Sequence, residues 1–250
     1  MSKRLQGLAL TLSVALAALA ADATSAPSLT CKGTLYLTFD TGNMRHAELI
    51  ADTLARHQVK ATFFLAQEKT TRGDQALDAS WAPYWRARVA EGHAFGSHTW
   101  RHGSFRADSD ARVRYRLADG QVETLDAAAI CQELQRPDTR FYELTGRHFD
   151  PLWRAPGGRT TANTLAAAKA CGYRHVGWAP AGFLGDELPS ETYSNAVLLQ
   201  RALDRLQDGD IVMAHLGIWS RKDPFAPMLD PLIAGLKQKG FCFATRREAS

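Results

Sequence analysis

The chain has 250 residues, of which 45% are hydrophobic and 22% are charged. This balance is typical of a globular protein and excludes a disordered, collagen-like or coiled-coil chain. Lys and Arg (30) exceed Asp and Glu (26) by four without forming a basic run, so the sequence lacks the electrostatic footprint of a nucleic-acid-binding protein.

The first residues have the layout of a cleavable export signal. Lys3 and Arg4 precede an apolar run over residues 8–21, and small residues follow it. The run is too short for a stable membrane span, which favours a signal peptide (residues 1–23, cut between about 20 and 26) over a membrane tether or an uncleaved amphipathic helix. We therefore expect a secreted or periplasmic protein whose residues 24–250 form one domain.

Short apolar runs then alternate with longer stretches that carry apolar residues at helical spacing. The predicted strands are residues 34–39, 61–65, 93–97, 151–154, 173–178, 211–214 and 241–244. The predicted helices include residues 45–57, 160–170, 195–207 and 227–239. Apart from the predicted strand at residues 93–97, residues 78–117 fit this alternation poorly, and no other secondary structure is predicted for them. Strands that alternate with helices indicate a parallel α/β sheet, either a barrel or a doubly wound sheet.

All four cysteines follow the expected cleavage site. An even number of cysteines in an exported protein predicts two disulfides, rather than buried free thiols, among three possible connectivities. We expect Cys31 to pair with Cys242, because these residues flank the first and last predicted strands. Cys131 would then pair with Cys171.

Polar residues stand where four predicted strands end. Asp40 follows the first strand, His98 the third, Arg154 ends the fourth, and His215 follows the sixth. Each has a plain alternative: Asp40 as a helix N-cap, Arg154 as a surface cation, His215 as a core histidine. Because catalytic groups of α/β barrels collect at the carboxyl ends of strands, the four coincidences together favour an active site.

His98 and His102 are four residues apart in the sequence HTWRH. On a helix, this spacing would place both imidazoles on one face, where they can hold a single cation or form a solvated pair. Trp100 and Arg101 occupy the interior of the motif, where a zinc protease would need a Glu, which excludes that class.

Six motifs occur in the order TFDTG (38–42), KATFFL (60–65), HTWRH (98–102), RAPGG (154–158), GYRHVGW (172–178) and MAH (213–215). In this order they resemble carbohydrate esterase family four, the NodB-like polysaccharide deacetylases. The resemblance implies a distorted (β/α) barrel of about seven parallel strands. It also implies hydrolysis of acetyl groups from an N-acetylated glycan, peptidoglycan or an exported polysaccharide, with a divalent metal ion, often zinc.

The resemblance implies a role for each residue at the strand ends. Asp40 matches the general base that takes a proton from the attacking water, and Arg154 matches the arginine that orients this base. His215 matches the general acid that protonates the leaving amine. His98 and His102 match two imidazole ligands of the metal.

Three further positions match residues that contact the substrate in this family. The backbone N–H of Gly157 matches an oxyanion donor, while Trp178 and Met213 match the apolar lining of the acetyl-methyl pocket. Gly157 stands in place of a frequent aromatic residue and Met213 in place of the usual Leu, so the preferred substrate is expected to differ.

Thr41 departs from the family pattern, because this position usually holds the acid that is the third metal ligand. A neutral hydroxyl is a poor zinc ligand. The sequence leaves three outcomes: a two-histidine site completed by water, a ligand recruited from elsewhere such as Asp40, or a degenerate site. The fourth motif is also altered, and either Asp186 or Glu187 can support His215. The alternative functions are a catalytically impaired glycan-binding protein of the same fold and an amidohydrolase for a small non-sugar amide.

Overall fold

The computed structural model describes residues 31–247, and the predicted export signal at residues 1–23 lies outside them. The strands are β1 (Gly33–Asp40), β2 (Thr62–Leu65), β3 (Ala94–Ser97), β4 (Ser104–Ser109), β5 (Arg112–Arg116), β6 (Val122–Leu125), β7 (Leu152–Trp153), β8 (Arg174–His175), β9 (Ile211–His215) and β10 (Phe241–Phe243). The helices are α1 (Ala47–Arg56), α2 (Ala82–Ala90), α3 (Ala127–Thr145), α4 (Ala162–Ala170), α5 (Asn195–Arg205) and α6 (Leu229–Gln238). Within these residues, no helix is both long and apolar enough to cross a membrane.

Seven of the described strands form one parallel sheet. Its order is β10-β1-β2-β3-β7-β8, and β9 pairs with β1 as well. The sheet curls, and the segment after β8 approaches β9 through a parallel bridge between Phe183 and Met213. The prediction of a distorted (β/α) barrel of about seven parallel strands is therefore confirmed.

The alternation of side chains along β1 decides which groups face the barrel interior. Leu35, Leu37 and Phe39 are at most 1% exposed and belong to the same apolar core as residues of α1, α5 and α6. Because successive strand residues point to opposite faces, Thr38 and Asp40 face the other way, into the barrel. Asp40 is the last residue of the strand, so its carboxylate stands at the carboxyl rim.

Outside the predicted strand at residues 93–97, the segment from 78 to 117 holds α2 and most of an antiparallel sheet of order β4-β5-β6. In β5, buried Val113 and Tyr115 alternate with exposed arginines, as expected for a sheet with one solvated face. This sheet interrupts the strand–helix alternation of the barrel. The long helix α3, which follows it, was also not among the predicted helices.

The fifth predicted strand, residues 173–178, is much shorter in the structure, because β8 ends at His175. The carbonyl oxygens of Val176 and Gly177 accept hydrogen bonds from the Arg154 guanidinium, at 3.1 Å each. These carbonyls therefore bind Arg154 at the rim of the barrel instead of pairing with a neighbouring strand.

Both predicted disulfides are confirmed. Cys31 is bonded to Cys242 with a Cα–Cα distance of 5.6 Å, because β1 and β10 are parallel neighbours. Cys131 of α3 is bonded to Cys171, which directly follows α4, with a Cα–Cα distance of 5.9 Å.

Candidate active site

The carboxyl rim of the barrel brings the polar residues predicted at the strand ends together. Asp40 and His215 are register partners at the ends of β1 and β9. His98 directly follows β3, and Arg154 directly follows β7. The four side chains lie at one edge because parallel strands present all their carboxyl ends on the same side.

Asp40 and Arg154 form a buried ion pair, in which the carboxylate is 2% exposed and Arg154 is fully buried. Arg154 Nη1 donates to Asp40 Oδ1 at 2.9 Å, and its other donors hold the two carbonyls after β8. Burial raises the pKa of Asp40, but the charges of Arg154 and His98 outweigh burial and hold this pKa below its ordinary value. Asp40 is therefore a carboxylate at neutral pH, with one oxygen fixed by Arg154.

His98 and His102 do come together, with ring centroids 4.9 Å apart. The pair does not lie on a helix, because residues 98–103 form a loop between β3 and β4. The His98 N–H donates to the Leu65 carbonyl at 2.8 Å and continues the ladder beyond β3. Thr99 and His102 then adopt left-handed backbone conformations, with φ of 66° and 52°, and the resulting turn returns the second imidazole to the first.

The environment of His98 fixes its tautomer. Its Nδ1 lies 2.9 Å from the carbonyl oxygen of Arg154, so Nδ1 carries the proton and Nε2 keeps its lone pair. Nε2 lies 3.5 Å from Asp40 Oδ2. Burial lowers the pKa of His98 to about 4, which makes the ring neutral at pH 7 and suited to donate to a cation.

Glu68 also reaches this cluster, and the sequence analysis missed it. Its Oε2 accepts hydrogen bonds from Thr41 Oγ1 at 2.5 Å and from the Gly42 N–H at 2.9 Å, while its Oε1 lies 3.5 Å from His102 Nδ1. Burial raises the pKa of Glu68, but His102, His98 and the Thr41 hydrogen bond outweigh burial and lower it overall. The available signal was an acid three residues beyond the carboxyl end of β2, the strand that pairs with β1.

His215 is held by Asp186, one of the two acids that the sequence left open. Asp186 Oδ2 accepts from the His215 backbone N–H at 2.7 Å, and both carboxylate oxygens lie 3.2 Å from His215 Nδ1. Glu187 is 47% exposed, and its Oε2 lies 3.9 Å from Nε2. Burial lowers the pKa of His215, but Asp186 outweighs burial and raises it to about 9, so the ring is an imidazolium at neutral pH.

Of the three residues predicted to contact substrate, Met213 is buried, Trp178 is partly buried and Gly157 is exposed. Trp178 packs so closely on Gly158 that a Cβ added there would lie 2.7 Å from the indole, and its ring is 5.5 Å from the Arg154 guanidinium. Gly157 is exposed in a left-handed conformation with φ of 62°. Met213 is 2% exposed and points to the same face of β9 as His215.

The donors of this cluster fit a borderline divalent cation by their chemistry, because neutral imidazoles and carboxylates are zinc ligands. As the side chains stand, no group of three or more His, Cys, Asp or Glu residues among positions 31–247 is arranged to hold a metal ion. The donors face one another in pairs instead, His98 with Asp40 and His102 with Glu68.

A parallel barrel with a buried carboxylate–arginine pair and two histidines at its rim defines the class of fold and site. Residues 28–176 match the family model of polysaccharide deacetylases, and the chain belongs to this family. The predicted resemblance to this family is thereby confirmed.

The chain is similar to two curated deacetylases. It is 25% identical over 211 residues to the peptidoglycan-N-acetylmuramic acid deacetylase of Bacillus subtilis, covering 84% of this chain and 68% of the relative. It is 25% identical over 191 residues to the chitooligosaccharide deacetylase of Azorhizobium caulinodans, covering 74% and 75%.

Two solved structures share the fold. A family 4 carbohydrate esterase from Streptomyces lividans superposes with a TM-score of 0.64 at 21% identity, over 86% of this chain and 94% of the esterase. A CE4 family pseudoenzyme from Bacillus anthracis superposes with a TM-score of 0.65 at 20% identity, over 87% and 65%. At these identities the likeness establishes the fold alone.

Proposed function

We propose that this protein is a metal-dependent hydrolase that removes acetyl groups from an N-acetylated glycan outside the cytoplasm. Peptidoglycan or an exported polysaccharide is the substrate class. The observation that carries the proposal is that Asp40, paired with Arg154, and His215, paired with Asp186, are register partners at adjacent strand ends. Hydrolysis of an amide needs both a proton acceptor and a proton donor, and these two groups supply them.

Asp40 acts as the base that accepts a proton from the attacking water. Arg154 fixes Oδ1, which leaves Oδ2 to receive the proton on the side of His98. Arg154 is buried, and each of its three guanidinium nitrogens donates a hydrogen bond, so it holds the carboxylate in one orientation. Arg154 is therefore a positioning residue.

His215 acts as the acid that protonates the leaving amine. Asp186 binds Nδ1, so Nε2 presents its proton to the cleft. The raised pKa keeps this proton in place at neutral pH until the carbon–nitrogen bond breaks.

His98 and His102 would hold the divalent ion, for which we propose zinc. When bound, such an ion lowers the pKa of water from ~15.7 to ~7 and polarises the acetyl carbonyl. The backbone N–H of Gly157 would donate to the oxyanion, and Trp178 and Met213 would line the space for the acetyl methyl group.

The relatives and the covalent framework support the substrate class and the compartment. Curated relatives are named as deacetylases of peptidoglycan and of chitooligosaccharides, both of which carry N-acetyl groups. Two disulfides suit an oxidising environment outside the cytoplasm.

The test is acetate release by the purified protein, residues 24–250, loaded with Zn²⁺. We expect acetate from N-acetylglucosamine oligomers or from purified peptidoglycan and about one metal ion per chain by elemental analysis. His98→Ala should abolish acetate release and metal retention. Absence of acetate from every glycan, with His98→Ala indistinguishable from the wild type, would reject the proposal.

A second candidate is a glycan-binding protein of the same fold with impaired hydrolysis. Thr41 favours it, because this hydroxyl is committed to Glu68 instead of replacing the missing acid as a ligand. Calorimetry that finds glycan binding unchanged by a chelator, together with no acetate release, would support this candidate over the deacetylase.

A further inference from the structure

Because Thr41 stands at the position of the usual acid, the proposed metal site lacks one negative charge. The Glu68 carboxylate lies next to Thr41. Two neutral imidazoles alone leave a dication uncompensated, so a nearby anion decides whether the cation binds. Glu68 comes from the loop after β2, and its Oε2 lies 2.5 Å from Thr41 Oγ1. The Glu68 carboxylate, from the loop after the neighbouring strand β2, therefore lies close to the position of the acid that Thr41 replaces.

We propose that Glu68 is the carboxylate ligand of a divalent cation held with His98 and His102, and that Thr41 positions it. This inference rests on the proposed metal-dependent function and names the residue that completes its site. Thr41 itself serves as an anchor, because its hydroxyl donates to Glu68 and accepts from the Ala66 N–H at 3.3 Å.

The two oxygens of Glu68 have separate tasks. Oε2 is tied to the Thr41 hydroxyl and the Gly42 N–H, which fixes the carboxylate on the backbone of the turn after β1. Oε1 faces His102 Nδ1 at 3.5 Å. Oε1 is therefore the oxygen of Glu68 that is available to bind a cation beside His102.

The charge of Glu68 is also not balanced by a fixed cation. Its side chain is only 19% exposed, and within residues 31–247 its ion-pair partner is His102, with no Lys or Arg in contact. Asp40 differs, because the Arg154 guanidinium neutralises it directly. A largely buried anion without a permanent counter-charge is costly, so a bound cation stabilises Glu68 more than Asp40. Glu68 is thus the stronger candidate for the recruited ligand.

The experiment measures metal affinity directly, without turnover. Zn²⁺ titration by calorimetry and the visible absorption of bound Co²⁺ are compared for the wild type, Glu68→Gln and Glu48→Gln. Glu68→Gln keeps an oxygen to accept from Thr41 and Gly42 and loses only the charge. Glu48→Gln is a matched control on the surface, since Glu48 is 66% exposed.

We expect Glu68→Gln to raise the Kd for Zn²⁺ by about tenfold or more and to change the Co²⁺ spectrum. Glu48→Gln should leave both unchanged. Adding Thr41→Asp to Glu68→Gln should restore affinity, because it returns the carboxylate to β1. Thermal unfolding of the metal-free variants checks that they fold. Should Glu68→Gln fail to fold, Thr41→Val, which removes only the anchoring hydroxyl, is expected to weaken binding severalfold.

The outcomes separate this inference from the proposed function. A Kd and a Co²⁺ spectrum unchanged in Glu68→Gln would overturn the ligand assignment even if the protein releases acetate. Affinity lost in Glu68→Gln while the wild type releases no acetate would uphold the ligand and reject the deacetylase. A wild type that binds neither ion would reject both.

Discussion

Replacing Asp186 tests whether His215 is the acid. Burial lowers the pKa of His215, yet the Asp186 carboxylate brings it from 6.5 to about 9. At 1.36 kcal/mol per pH unit, this difference favours the imidazolium by roughly 3 kcal/mol. Asp186→Asn removes the charge, while its amide oxygen can still accept from the His215 backbone N–H. Burial is then opposed only by the weaker effects of Asp40 and Glu187, so we expect the pKa of His215 to fall well below 9.

The assay is the pH dependence of kcat/KM for acetate release. At pH 8 about nine-tenths of His215 is protonated in the wild type, and the loss of most of this protonation should make Asp186→Asn at least about tenfold slower. At pH 6 a larger fraction of the variant is protonated, so the two proteins should differ less than at pH 8. Glu187→Gln is the control, because this half-exposed side chain is screened by solvent and should shift the profile little.

Stability gives a second measurement of the same shift. Because the folded pKa of His215 lies above its unfolded value, its contribution to the free energy of unfolding is complete below about pH 6.5 and is lost as the pH rises through about 9. Asp186→Asn should therefore destabilise the protein more at pH 6 than at pH 10 in urea unfolding. Two results would refute the role of His215 as the acid. One is a pH profile of kcat/KM for Asp186→Asn that falls at the same alkaline pH as that of the wild type, and the other is an equal loss of activity at pH 6 and pH 8.

Three other variants have expected outcomes. Arg154→Ala leaves the Asp40 carboxylate buried without its partner, so urea unfolding should give a free energy lower by about 3–5 kcal/mol; a loss below about 1 kcal/mol would contradict the buried pair. Trp219 is 64% exposed in the loop after β9, so Trp219→Ala should change stability by less than about 0.5 kcal/mol yet weaken binding of glycan oligomers in calorimetry; unchanged affinity would exclude it as a sugar contact. Replacing Cys131 and Cys171 by Ala removes a cross-link between residues 40 apart, which should lower the unfolding free energy by about 4 kcal/mol under non-reducing conditions; the oxidised wild type is the reference, and an unchanged midpoint would contradict the effect.

The sheet was predictable because its signal is local. Alternating apolar residues along residues 34–39 indicated a strand, and the helical spacing that follows indicated a crossover to a parallel neighbour. The antiparallel sheet β4-β5-β6 escaped prediction because it is an insertion that breaks this alternation. The spacing of the histidine pair indicated convergence only if a helix formed there, whereas left-handed residues in a loop bring the rings together. Sequence spacing alone does not reveal such a backbone conformation.

The sequence by itself determined that Asp40, Arg154 and His215 meet, because a residue that ends a strand of a parallel sheet must stand at the common carboxyl rim. Only the tertiary structure decided which further acids join this site. Glu68 binds Thr41, 27 positions away in the sequence, and Asp186 rather than Glu187 binds His215 at hydrogen-bond distance. These contacts depend on how the loops fold over the rim. Hydrogen bonds between residues distant in the sequence set the loop conformations, and the spacing of apolar residues in the sequence does not predict them.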